Sequence, residues 1–529
     1  MTTSNKLSEP GQFDLELANI ITSEGVVVDL TASVVQVQFF ESIESNSITG
    51  YLIVQETVGL TNVGPLIGQE YLQILISTPS LKGKKSKIDF TKNLLHVTSM
   101  IEQNEENNTT FTTFEFVTSE LVHSKRRRIN RPLEGEYSAL VTTLLQNDLQ
   151  CKKDLYIETS MGTKHVIPHN RTPFNMIAEF ARQAVSKEHG SPTYHFYENL
   201  RGFHFRSLES MYAEGSKYTY ANVEPGAKTG KEPGLSDGKV MDEKLTRDLA
   251  AIQDYTVTAG RHLMVTAPSG GFSSTLTSHN IFHKNYTVTT FNYFDDYEPE
   301  PGKIDNKRKM INFFSGEKDN PLYSHAFVDK EERRISDFTY TTFLAPDTEI
   351  RTRDSQADFN STDLKSSQYD RWSRSIFGGV EKKYLFDQRK SSNWLQRRRA
   401  NLLNLNATGS LAIEVHGNTA LNCGDTVTVN LPEASFNGGS PDGLSRFYRG
   451  VHLITTLAHS FDVATRKHSM NLVLSKDSVK QPFDVTSFFG NKDDGFVETK
   501  PIKNGKTYNE EQFYSQTPDY DEKVDRGIS

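Results

Sequence analysis

Two widely separated stretches of this chain run through the same local signals. Near the start, Ile67-Gly68-Gln69-Glu70-Tyr71-Leu72-Gln73-Ile74 leads to a two-armed hairpin at 94–118 and then Ser119-Glu120-Leu121-Val122. Near the end, Cys423-Gly424-Asp425-Thr426-Val427-Thr428-Val429 leads to a hairpin at 451–474 and then Ser475-Lys476-Asp477-Ser478-Val479. Each copy has a glycine, an acid, a strand of period two and a long hairpin. Period-two alternation sends one strand face into a core and the other to solvent. Glycine at the turn tolerates the positive φ that a Cβ resists. The pattern predicts two copies of one rounded β-module within one chain. Three chains would then present six similar modules about an axis, which lets a three-fold assembly meet a six-fold partner.

The rest of the chain fits around these copies. Phe13 to Leu17, Tyr51 to Val54 and Tyr71 to Ile76 alternate as strands, so residues 11–122 are expected to form a first small barrel or sandwich. Tyr137 to Leu149 carries Leu140, Leu144, Leu145 and Leu149 at helical spacing, and Pro173 opens a second helix. Tyr194 to Tyr197 and Phe203 to Phe205 flank a turn. Residues 123–212 therefore read as an α+β unit. Residues 213–249, with a Gly/Lys/Pro/Asp-rich centre from Pro225 to Gly238, read as a linker. Residues 250–295 and 391–480 are assigned to the second module, including a helix over Trp394 to Leu405. Between them lies a polar, weakly periodic insertion at 296–390, and the chain ends in a charged tail at 481–529. The expected fold class is mainly β with α+β insertions: two tube-like β-barrel domains plus a smaller α+β domain.

Composition excludes several function classes. The net charge of −8 gives no global attraction to nucleic acid or anionic membrane. Cys151 and Cys423 alone cannot make a disulfide framework or a cysteine-pair zinc site. Met1 to Pro10 lacks an apolar core, so no signal peptide is expected. His165/His169 and His279/His283 are each spaced i, i+4, but Pro168 opposes a helix in the first pair and neither has a third ligand nearby. Glu102, Glu105 and Glu106, and Asp295, Asp296 and Glu298, read as solvated loop charge and not as a glycosidase pair. No nucleophile elbow, P-loop or H-E-x-x-H stands in the sequence. No catalytic, cofactor or metal residue is therefore assigned. The runs Lys125 to Arg128 and Arg397 to Arg399 suit contacts between subunits or proteins, with a solvated surface or phosphate contact as the alternatives.

Several stretches, in their order, carry a resemblance. They are Ile48-Thr49-Gly50-Tyr51-Leu52-Ile53-Val54, Gly64-Pro65-Leu66-Ile67-Gly68-Gln69-Glu70, Ile167-Pro168-His169-Asn170-Arg171-Thr172-Pro173-Phe174, Phe196-Tyr197-Glu198-Asn199-Leu200-Arg201-Gly202-Phe203 and Tyr448-Arg449-Gly450-Val451-His452-Leu453-Ile454-Thr455. Together they resemble the central baseplate hub protein of T-even-type contractile-tailed bacteriophages and, more distantly, type VI secretion spike proteins. The resemblance covers 10–210 well and 250–480 more loosely. It implies a non-enzymatic homotrimeric ring in the virion tail baseplate, assembled in the host cytoplasm. The implied partners are the central spike below, the tail tube or a tube-initiating protein above, and baseplate wedge proteins around, with DNA only in transit. The insertion at 296–390 and the long tail depart from the family pattern. A tail-associated cell-wall hydrolase, which would need the room at 296–390, is the runner-up. A receptor- or carbohydrate-binding tail protein, with aromatics such as Tyr293 and Phe294 lining a groove, is a third reading.

Overall fold

The alternating stretches at 14–17, 51–54 and 71–76 are strands. In a computed structural model the described residues are 7–56, 68–79, 86–106, 109–161, 163–222, 245–257, 263–280, 285–293, 342–346, 393–405, 410–432 and 448–477. The first run holds β1 (Asp14–Ile21), β2 (Val27–Asp29), β3 (Val34–Ser42), β4 (Thr49–Glu56), β5 (Tyr71–Thr78), β6 (Ser86–Asp89), β7 (Leu95–Glu106) and β8 (Thr109–Thr118). In β5, Leu72, Ile74 and Ile76 point inward and Tyr71, Gln73 and Leu75 are less buried. They join Phe39, Leu52, Phe114 and Phe116 in one core.

The α+β unit follows with α1 (Ser119–Arg126), β9 (Leu133–Glu136), α2 (Tyr137–Thr143), β10 (Asp154–Ile157), β11 (Ser160–Met161), β12 (Thr163–Val166), α3 (Pro173–Gln183), β13 (Val185–Ser186), β14 (Tyr194–Asn199), β15 (Gly202–Ser207) and α4 (Leu208–Ala213). Thr172 caps α3 by accepting from the Asn175 N–H at 3.3 Å, and Pro173 occupies the first turn, where its missing N–H costs nothing. The helix expected over Tyr137 to Leu149 is α-helical only to Thr143. Leu144–Asp148 widens to π geometry, and the Leu149 N–H reaches the Leu144 carbonyl at 3.1 Å. The four leucines stay buried through the change.

The remaining elements are β16 (Ser216–Ala221), β17 (Ile252–Val257), α5 (Leu263–Thr266), β18 (Ser273–Asn280), β19 (Asn285–Asn292), β20 (Thr342–Pro346), α6 (Arg398–Asn404), β21 (Leu411–His416), β22 (Thr426–Asn430), β23 (Gly450–Asp462) and β24 (Lys467–Ser475). Two features differ from the sequence reading. Within 213–249, read as linker, β16 pairs in parallel with β22 and buries Tyr220. Within 250–295, only β17 enters the large sheet, while β18 and β19 form a separate sheet with β20 from the insertion. Both differences come from pairing partners distant in sequence, which local periodicity does not encode. Most of 296–390 and all of 481–529 lie outside the described residues.

The duplication is present at the level of individual strand pairs. One half of the 14-stranded sheet runs β3-β4-β8-β7-β5-β1 and the other β17-β21-β24-β23-β22-β16. Chain order maps one series onto the other strand for strand. The irregularities coincide too: β3 shifts register after Val34 and β17 after Ile252, β7 after Val97 and β23 after Ile454. At the last pair, the extra residues Thr98 and Thr455 each donate a hydroxyl to the facing strand, to Glu115 O at 3.3 Å and Val473 O at 3.0 Å. The Val97 N–H binds Glu70 O at 3.0 Å, and the Ile454 N–H binds Asp425 O at 2.9 Å. The copies differ at one end, where β1 meets β5 antiparallel but β16 meets β22 parallel. Among the described strands no ladder closes either half into a barrel, but one parallel bridge, Ala221↔Ala251, joins the end of β16 to the residue before β17. The two halves share one sheet, because β23 also pairs with β3, from Thr456↔Ser42 to Asp462↔Gln36.

Candidate functional site

The two copies and the α+β unit meet in a junction of buried polar and apolar groups. At the seam, Phe461 of β23 leaves its own half and enters the first core, edge-on to Phe13 at 5.1 Å and to Phe39 at 6.2 Å. Ser460 accepts from the side-chain amides of both Gln36 and Gln38 at 3.1 Å. His459 and His468 face each other across the hairpin with ring nitrogens 3.0 Å apart, and His468 stacks on Phe461 at 4.0 Å. Burial holds the His459 pKa down at about 3 and that of His468 well below its usual value.

The tip of the β14–β15 hairpin locks onto this seam from the third unit. Glu41 of β3 is wholly buried and accepts the Leu200 N–H at 2.7 Å and the Cys423 N–H at 2.9 Å. Burial pushes its pKa up to about 8, although both N–H groups pull it down. Asn199 donates to Cys423 O at 3.2 Å. Arg201 grips Asp425 through two nitrogens at 2.9 and 2.7 Å, and Lys217 of β16 meets the same carboxylate at 2.5 Å. On the first half, Glu198 accepts from Thr118 Oγ1 at 2.6 Å and from the Ile48 N–H at 3.2 Å. Lys153 bridges Glu120 and Glu198 at 2.6 Å each. Burial works against the Lys153 charge, but the two carboxylates hold its pKa above the ordinary lysine value. An apolar patch closes the junction, with Ile43, Tyr197, Leu208, Met211, Cys423 and Leu453 drawn from all three units.

The two turn glycines found by sequence occupy the expected conformation, with φ of +81° at Gly68 and +85° at Gly424. They are not equivalent. A Cβ on Gly68 would meet nothing within 4 Å, whereas on Gly424 it would lie 2.1 Å from the Tyr197 hydroxyl. Gly424 is thus where the hairpin tip presses on the second copy.

Other singled-out residues fall elsewhere. Arg398 is half-buried, donates to the carbonyls of Pro192 and Tyr194 at 3.0 and 3.1 Å, and has its pKa lowered to about 10 by desolvation. Arg399 donates to Ser269 O. These hydrogen bonds fasten α6 within the chain. Lys125, Arg126, Arg127 and Arg128 are exposed at the end of α1. His165 lies in β12 and His279 in β18, so neither histidine pair sits on a helix; His169 is exposed, and His283 lies outside the described residues. Glu102, Glu105 and Glu106 belong to β7, which runs further into the tip than expected. Asp295, Asp296, Glu298 and Phe294 lie outside the described residues. Tyr293 is buried in a small core with Phe272, Phe291 and Ala400 and lines no groove. Asp425 entered only as the acid of the second repeat, and Glu41 and Lys153 were not singled out by sequence. The hairpin stretch Phe196 to Phe203 was, and its unusual density of polar residues between aromatics was the available signal.

Beside the hairpin tip is a pocket of about 360 Å³, lined by Ile48, Lys87, Phe90, Lys153, Glu198 and Arg201 among others. Lys87 is paired with Glu16 at 3.0 Å, and Lys153 and Arg201 are held as described. Each of these three cations has a carboxylate partner within the chain. Burial raises the Cys151 thiol to about 11, and that of Cys423 well above the usual range, so neither is a ready nucleophile. Among the described residues, no group of three or more His, Cys, Asp or Glu side chains is placed to hold a metal.

No family model and no curated protein matches the chain. Solved structures do. The tail protein from Neisseria meningitidis aligns over 88% of this chain and 98% of its own, at 8% identity and a TM-score of 0.46. The 43 kDa tail protein of prophage MuSo2 from Shewanella oneidensis aligns over 88% and 100%, at 8% identity and a TM-score of 0.42. A component of the type VI secretion system from Escherichia coli aligns over 89% and 79%, at 8% identity and a TM-score of 0.33. The chain is thus similar in overall course to phage tail proteins and, more remotely, to a component of the type VI secretion system.

Proposed function

We propose that this protein is the structural hub of a contractile-tail baseplate. In this reading it forms a homotrimeric ring that joins the six-fold tail tube to the three-fold central spike and leaves a channel for DNA. One observation carries the reading: a single strand order, with the same register shifts, occurs twice in one chain and is spliced through β23 and β3. Three such chains offer six like surfaces to whatever stacks on them. The modules are residues 11–122 and, for the second, β16, β17 and β21 to β24, clamped by the α+β unit at 123–212. The insertion at 296–390 and the tail at 481–529 are assigned to contacts with neighbouring baseplate proteins. The protein works by binding: its paired buried charges hold units together and activate no nucleophile. It is placed in the virion tail, assembled in the host cytoplasm.

Light scattering on the purified chain at micromolar concentration, alone and with the spike, tests the ring. A trimer, free or spike-bound, is expected; a strict monomer under both conditions overturns the reading. The runner-up hydrolase reading is separated by a zymogram on host cell wall, where no clearing is expected.

A further inference from the structure

A patch of like charge stands on the α+β unit. Lys125 and Arg126 lie in the last turn of α1, Arg127 ends that helix, and the Arg128 guanidinium donates to the Lys125 carbonyl at 3.3 Å. Arg171, just before α3, is brought close by backbone pairing, in which the Ile129 N–H donates to Arg171 O at 2.8 Å. All five side chains are exposed. Among the described residues no ion pair holds any of them, whereas Arg131 beside them is taken by Asp148 at 2.6 Å. The helix dipole favours cations in the last turn of α1 and so accounts for Lys125 and Arg126. It does not account for Arg127, Arg128 and Arg171, which stand outside the helix.

The sequence beyond the last described residue, Asp477, supplies the complement. Its charge is segregated. Residues 478–509 carry five lysines and four acids and are close to neutral. Residues 510–525 carry six acids, from Glu510 and Glu511 to Asp525, against Lys523 alone. Phe513, Tyr514 and Tyr520 lie among those acids, and aromatic faces suit guanidinium groups. An acidic segment with interleaved aromatics matches a cluster made mostly of arginine in both charge and chemistry.

We infer that, in the chain before assembly, the acidic segment Glu510 to Asp525 docks on Lys125 to Arg128 and Arg171 of the same chain. The inference goes beyond the hub reading and does not rest on it. Two arguments favour this occupant over a nucleic acid. The whole chain carries a net charge of −8, which disfavours approach of a phosphate backbone. The acidic segment is tethered: a stretch as long as 478–509 spans up to roughly 100 Å, and tethering raises the local concentration of the segment to about millimolar. The contact is electrostatic and solvent-exposed, so it weakens as salt is added. While it lasts, it covers the strongest run of positive charge in the sequence and keeps other polyanions off it.

Zero-length cross-linking of the full-length protein tests the contact. A carbodiimide joins the Lys125 amine only to a carboxylate that touches it. At low salt, mass spectrometry of the monomer band from a denaturing gel is expected to find Lys125 linked to a carboxylate within 510–525. The yield is expected to fall severalfold in Arg126→Gln/Arg127→Gln/Arg128→Gln, whose substituted side chains are all exposed. A link found only in multimer bands, or none at all, overturns docking within the chain. A second measurement reads the covering effect, with a short DNA duplex as the polyanion probe and fluorescence anisotropy at low salt as the readout. A chain truncated after Asn509 is expected to bind the duplex severalfold more tightly than the full-length chain, and the three glutamines are expected to abolish that gain. Equal affinity of the full-length and truncated chains overturns the inference. So does a gain that survives the glutamines, because it reports net charge alone. Tight binding of the duplex by the full-length chain through the same arginines would instead make the patch a nucleic-acid surface.

Discussion

At the scale of single residues, Gly68 and Gly424 separate two reasons for being glycine. Gly68 needs only its positive φ, so Gly68→Ala is expected to cost about 1 kcal/mol. Gly424 needs positive φ and also lies against Tyr197, so Gly424→Ala adds a clash in a packed junction and is expected to cost about 3 kcal/mol or more. Urea unfolding of the two variants checks the difference; equal losses would remove the special role of Gly424. Protonation supplies a second test. His204, His452, His459 and His468 are buried and His195 is half-buried, and all five have pKa values lowered, first of all by desolvation. The unfolded chain takes up those protons near pH 6.5 and the native chain does not, so stability is full above 6.5 and falls on acidification. Glu41 acts in the opposite sense. Its native proton is held to about 8 against an unfolded value of 4.5, so its contribution is full below 4.5 and lost as pH rises through 8. Each such group contributes at most about 1.4 kcal/mol per pH unit. Five histidines outweigh one carboxyl below 6.5, while above 6.5 Glu41 dominates among these groups. The urea midpoint is therefore expected to peak near neutrality, with Glu41→Gln flattening the alkaline side. A midpoint unchanged between pH 7 and pH 5 would contradict neutral burial of the histidines.

At the scale of elements, the β14–β15 hairpin is the clamp. Its tip binds Thr118 and the Ile48 N–H in one half and Cys423 and Asp425 in the other, so its attachments are energetically linked. Lys153 is the sensitive point, because removing it leaves two buried carboxylates facing each other. Lys153→Met is expected to cost about 3–5 kcal/mol. Adding Glu120→Gln and Glu198→Gln to that variant is expected to restore part of the loss, and denaturant titration of the series reads it out. No recovery would show that packing around the Lys153 stem, and not charge, dominates. The hairpin itself was legible from its aromatic alternation around Gly202. Its clamping role was not, because every partner of its tip is distant in sequence.

At the scale of the whole molecule, two copies of one strand order, spliced through β23 and β3, are what the proposed three-fold ring rests on. Closure adds a contact without a further loss of translational freedom, so monomer and trimer are expected to dominate light-scattering profiles, with little dimer between them. A dimer as the stable end state would contradict the proposed three-fold ring. The sequence by itself determined the mainly-β class, the α+β unit, the two turn glycines and the duplication, since each is written in short-range periodicity and turn chemistry. Only the tertiary structure decided that the copies share one sheet, that β16 belongs to the second half, that β18 and β19 do not, and that Arg398 and Arg399 are spent on carbonyls within the chain. Those outcomes depend on which edges and carbonyls meet across hundreds of residues. Every strand edge carries the same backbone donors and acceptors, so sequence alone does not mark its partner.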